Sequence, residues 1–125
     1  MEDGLNLKLD RGPNAAAVAR RGLARLPGDL DAPLMETLRL LVTELVTNSV
    51  RHTGADTVLL TVLVGNSAVL TEVSDAGAGF EPAETGSLSS DHTGWGLFLV
   101  DRLAERWGVE KDGAGTKVWF ELPRT

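Results

Sequence analysis

At 125 residues the chain has the size of one ordinary domain, long enough to bury a core of its own. Apolar residues make up 42% and charged residues 24%, the balance of a soluble globular protein rather than a disordered or membrane one. A formal net charge of -6 argues against broad attraction to nucleic acid or anionic lipid, and the absence of cysteine excludes disulfides and thiolate chemistry. No run is apolar enough to span a bilayer, and Met1 to Gly4 has none of the basic-then-apolar character of a signal peptide. The expectation is a cytoplasmic protein with neither membrane nor nucleic acid as a direct partner.

Leu5, Leu7 and Leu9 alternate with Asn6, Lys8 and Asp10, a period of two that predicts a strand with one buried face, ended by Gly12 and Pro13. From Asn14 to Leu26 the positions Ala15, Val18, Ala19, Gly22, Leu23 and Leu26 form one helical stripe, with Asn14 as a cap. Arg20, Arg21 and Arg25 fall on the other side, either as a solvated basic face, the plainer reading, or as a docking surface for an acidic partner. Pro27 to Asp29 breaks this helix. Asp31 then caps a second one, with Pro33 in its first turn and Leu34, Leu38, Leu41, Val42, Leu45 and Val46 as its core face as far as His52.

Thr53 to Asp56 is the exit from that helix. Thr57 to Val64 and Ala68 to Ser74 read as two antiparallel strands turning at Gly65 to Ser67. Asp75 to Thr93 is rich in glycine and small polar residues with little periodicity, and a segment that long reads as a lid. Gly94 opens a third helix with Leu97, Val100, Leu103, Ala104 and Trp107 as its buried stripe and Gly108 as its stop. Val109 to Lys111 and Thr116 to Leu122 close the chain as a hairpin, with Val118, Phe120 and Leu122 on one face of the last strand. This order predicts an α+β fold in a single domain over residues 1–125: a two-layer sandwich whose mostly antiparallel sheet is covered on one face by three helices.

Polar residues at the junctions carry the chemistry. Glu44 and Asn48 interrupt the apolar pattern of the second helix four residues apart, on one face. A carboxylate and a carboxamide turned inward are costly unless they bind something polar. The carboxamide oxygen suits Mg²⁺, and the carboxylate can accept a proton from an attacking hydroxyl or water. Asp75-Ala76-Gly77-Ala78-Gly79 follows a strand directly, offering a fixed acceptor for an exocyclic amine such as that of adenine and backbone able to approach a ligand closely. Gly94-Trp95-Gly96 at a helix start exposes free backbone N–H groups at the positive end of the helix dipole, an anion site. Singly, each motif has an ordinary alternative: a polar helix face, a turn, a chance Gly-x-Gly. Their order along the chain is what carries weight.

That ordered set resembles the nucleotide-binding domain of the GHKL (Bergerat-fold) superfamily. Glu44-Leu-Val-Thr-Asn48-Ser-Val-Arg51-His52, Gly94-Trp95-Gly96-Leu97-Phe98-Leu99-Val100, Leu103 to Val109 and Gly115 to Pro123 resemble most the small bacterial anti-sigma-factor serine/threonine kinases. The resemblance covers essentially the whole chain. It implies ATP and Mg²⁺ as cofactors, with Asn48 as the metal ligand and Glu44 as the general base. It further implies that Asp75 binds the adenine amino group in a pocket shaped by Gly77 and Gly79. Gly94, Trp95, Gly96 and Leu97 would then bring the third helix to the phosphates, with Thr116 supporting adenine. Arg51 and His52 stand where related kinases place basic groups that meet phosphate or partner, or else form a solvated helix end. His92 is read as a bystander.

The activity implied is phosphoryl transfer from ATP to a Ser or Thr of a small STAS-type antagonist protein by a homodimer that also binds a sigma factor, with Arg20, Arg21 and Arg25 as part of the partner surface. Two alternatives stay open: a module that binds nucleotide or partner without catalysis, and the detached ATP-binding domain of a histidine kinase.

Overall fold

The structure, a computed structural model, describes residues 3–26, 30–52, 56–75, 92–112 and 115–124. The elements are β1 (Asp3–Asp10), α1 (Ala15–Leu23), α2 (Ala32–His52), β2 (Thr57–Val64), β3 (Ala68–Asp75), α3 (His92–Leu103), β4 (Arg106–Asp112) and β5 (Gly115–Pro123). The five strands form one sheet in the order β1-β2-β3-β5-β4, and every neighbouring pair is antiparallel. The three helices pack together on one face of it, giving the α+β sandwich expected from the sequence.

Alternation builds the sheet. Val58, Leu60, Val62 and Val64 in β2, Val69, Thr71 and Val73 in β3, and Val118, Phe120 and Leu122 in β5 are buried, while the residues alternating with them are exposed or half-buried. Register aligns the buried positions into rows: Val62 stands opposite Thr71, Thr71 opposite Phe120, and Phe120 opposite Trp107. Over these rows α2 lays Leu38, Leu41, Val42, Leu45 and Val46, and α1 lays Ala15, Ala19 and Leu23. Phe120 is the largest fully buried side chain of this core. Its truncation in Phe120→Ala should cost about 3–5 kcal/mol, read as a lower urea midpoint.

Local signals explain where α2 starts. The Leu34 amide donates to Asp31 Oδ1 at 2.8 Å, the N-cap bond read from the sequence. The cap read at Asn14 is corrected. With φ -95° and ψ -2° its backbone is already helical and its side chain makes no cap bond; the Val18 amide donates to the Asn14 carbonyl instead, at 2.9 Å. α1 ends at Leu23 rather than Leu26, although Leu26 is buried beyond it.

The third helix needs the largest correction. It begins at His92, two residues before Gly94, and ends at Leu103, so Trp107 belongs to β4 and not to the helical stripe. The Glu105 amide already donates to the Glu121 carbonyl at 2.8 Å, committing the chain to the sheet. Gly108 is likewise no helix stop. It lies inside β4 beneath the Trp119 ring, where a Cβ would stand 2.7 Å from Nε1, so the aromatic contact requires a glycine there. The segment read as a lid falls, apart from Asp75, His92 and Thr93, outside the described residues.

Candidate functional site

Three features meet at one end of the sandwich. β3 ends on Asp75, which stands directly opposite Thr116 near the start of β5, with Val58 on its other flank. α2 finishes at His52, five residues before β2 begins at Thr57, so its last turns lie at this same end. α3 hands over to β4 at Arg106, opposite Glu121 at the far end of β5, so its first turn is directed back toward Asp75.

Burial sorts the residues singled out from the sequence. Asn48 is 3% exposed and Thr116 4%, and neither Asn48 Oδ1 nor Thr116 Oγ1 has a hydrogen-bond partner among the described residues. A buried polar atom left in that state costs about 1–3 kcal/mol. Asp75 is buried too, and takes part in an interaction within the chain. Glu44 is half-buried, one helical turn before the buried Asn48. Arg51 is exposed on the last turn of α2 and Leu97 is half-buried on α3. Gly94, Trp95 and Gly96 lie in the first turns of α3; their side chains, and that of His52, are outside the described residues, as are Gly77 and Gly79 altogether.

Arg20, Arg21 and Arg25 are exposed at the end of α1, well away in sequence from these groups. Arg20 Nη1 donates to Thr43 Oγ1 at 3.3 Å, joining α1 to α2 next to Glu44.

Among the described residues a third buried oxygen without a partner, Thr71 Oγ1, was not singled out from the sequence. It lies on the same face of β3 as Asp75 but four residues away, about 13 Å along the strand, beyond reach of the same ligand group. Thr71→Val should therefore raise the free energy of unfolding by up to about 1 kcal/mol, read as a higher urea midpoint, and leave ligand binding unchanged. A loss of stability would show that the hydroxyl has a structural partner.

Asn48 suits Mg²⁺ by its chemistry: a neutral oxygen ligand, buried and without a partner among the described residues. Among the described residues no three His, Asp or Glu side chains gather into a metal cluster. A Mg²⁺ shared between one side-chain oxygen, phosphate oxygens and waters needs no such cluster. No helix of the described residues is long and apolar enough to cross a membrane.

A profile described as the histidine kinase-like ATPase domain matches residues 7–122. The chain belongs to that family. An ATPase domain implies ATP as ligand, and the fold of this one is shared with solved structures. The RsbU and RsbW domains of Rv1364c from Mycobacterium tuberculosis superpose with a TM-score of 0.74 at 22% identity, over 98% of this chain and 32% of that one. Two structures of the blue-light activated histidine kinase EL346 from Erythrobacter litoralis also match. The histidine kinase domain gives a TM-score of 0.58 at 25% identity over 72% of this chain and 44% of that one. The other gives 0.61 at 26% over 77% and 32%. The ATPase domain thus spans less than half the length of each of these relatives. A search of curated proteins returns no match.

Proposed function

We propose that this ATPase domain binds ATP with Mg²⁺ and transfers the γ-phosphoryl group to a Ser or Thr hydroxyl of a small STAS-type antagonist protein, working as a homodimer that also holds a sigma factor. The observation that carries the reading is the pair of buried oxygens, Asn48 Oδ1 and Thr116 Oγ1, that have no partners among the described residues at the end of the sandwich where Asp75 closes β3. The likeness in fold to the RsbW domain of Rv1364c supports it.

The roles follow from phosphoryl-transfer chemistry, in which positioning and charge neutralisation do most of the catalysis. Asp75 accepts the adenine amino group, with Thr116 beside it across the strand pair. Asn48 holds the metal through its amide oxygen. Mg²⁺ supplies charge neutralisation on the phosphates when bound. The free first-turn amides of α3, at His92 to Gly94, hold the phosphate oxygens, with Trp95, Gly96 and Leu97 carrying that turn to the phosphates, and Arg51 adds a positive charge from the last turn of α2. Glu44 takes the proton from the acceptor hydroxyl as its oxygen bonds to the γ-phosphorus and the bond to the β-phosphate oxygen breaks, releasing ADP. Arg20, Arg21 and Arg25 provide part of the partner-facing surface.

The test incubates the protein with γ-labelled ATP, Mg²⁺ and candidate antagonists. Label stable to acid on Ser or Thr of an antagonist is the expected result. ATP binding with no label on any antagonist would favour a module that acts by sequestration. The two histidine-kinase structures support a second reading, transfer to a histidine, which acid-labile label would identify.

A further inference from the structure

We propose that Asp101 is a positioning residue for the phosphate end of this site, acting through Trp107. The inference rests on the nucleotide reading above. Trp107 Nε1–H donates to Asp101 Oδ1 at 3.0 Å, from the second residue of β4 to the last turn of α3. The donor is firmly held: Trp107 stands opposite Phe120, which is fully buried, and the neighbouring Glu105 amide is bonded to the Glu121 carbonyl at 2.8 Å. The acceptor belongs to a helix whose end is well formed, with the Ala104 amide donating to the Val100 carbonyl at 2.9 Å and Val100 wholly buried.

An α-helix moves as a rod over this length. Asp101 lies about 10 Å along the axis from Gly94, so a bond that stops α3 from sliding or turning at one end sets the direction of the free first-turn amides, at His92 to Gly94, at the other. Those amides are the groups assigned to phosphate. On the outer side of α3, Arg102 stacks on the exposed Phe98 ring at 4.7 Å. Arg106 pairs with Glu121 at the same junction, between β4 and β5 and without involving α3.

These partners give the link a distinctive signature. It should affect the phosphate half of the ligand and spare the adenine half, which Asp75 and Thr116 serve from the sheet. The test measures affinities for Mg·ADP and for adenosine by calorimetry or NMR titration, with melting curves taken without ligand. Asp101→Ala and Trp107→Phe should each weaken ADP binding about fivefold, the worth of one hydrogen bond, and leave adenosine binding unchanged. The double variant should be no weaker than either single one, because both remove the same bond. Asp101→Asn should bind like the wild type, since the amide oxygen still accepts from the indole. Arg106→Ala should also bind like the wild type.

An equal loss for ADP and adenosine would overturn the proposal, as would an Asp101→Asn variant as weak as Asp101→Ala, or an Asp101→Ala variant with unchanged ADP affinity. A wild-type protein that binds neither ligand overturns the nucleotide reading itself and this inference with it.

Discussion

Asn48→Ala should raise the dissociation constant for Mg·ATP by about a hundredfold or more, the scale on which direct ligands and their supports act at metal sites. The same variant should be as stable as the wild type without nucleotide, or more so, because it removes an oxygen that is buried and without a partner among the described residues. Opposite signs in binding and stability separate a residue held for a ligand from one held for packing. Isothermal titration with and without Mg²⁺, beside urea denaturation, reads both. An Asn48→Ala protein that binds Mg·ATP normally sinks the metal assignment.

Glu44→Gln should split binding from chemistry. Its half-buried position one turn from Asn48 gives it access to an incoming hydroxyl without a place among the buried ligand contacts. Removing a general base lowers phosphoryl transfer by about 10²–10⁴-fold, while the affinity for ADP should change little. Single-turnover labelling of an antagonist gives the rate, and titration with ADP the affinity. Turnover that survives in Glu44→Gln would leave proton removal to another group and the enzyme reading without its base.

Much of this was legible in the residues themselves. Period-two alternation in β1 and β5 and the Asp31 cap of α2 are local signals, and each led to the right element. Trp107 misled because Val100, Leu103, Ala104 and Trp107 satisfy a helical spacing, while Trp107 and Val109 equally satisfy a strand. Only the backbone bond from Glu105 to Glu121, a contact between distant residues, decides between them. The same holds for the site. Asp75 and Thr116 were both singled out, but their standing directly opposite each other depends on the pairing of β3 with β5, which no local pattern specifies. The four-residue spacing of Glu44 and Asn48 reports a shared helix face and not the depth of each side chain. The Asp101 to Trp107 bond had no signal at all, since it crosses from one element to another without a recurring motif.

The position of β5 between β3 and β4 has a consequence for how the protein comes into being on the ribosome. β1, β2 and β3 can pair in the order they are synthesised, but β3 keeps a raw edge, and β4 has no neighbour, until residues 115–123 emerge. Thr116 arrives with that strand, so on the proposed nucleotide reading a nascent domain lacks one of its two adenine-side groups until residues 115–123 are made. Translation arrested before β5 would yield a chain that ATP does not stabilise. Nucleotide added during synthesis should therefore protect the protein from protease only once this strand has been released.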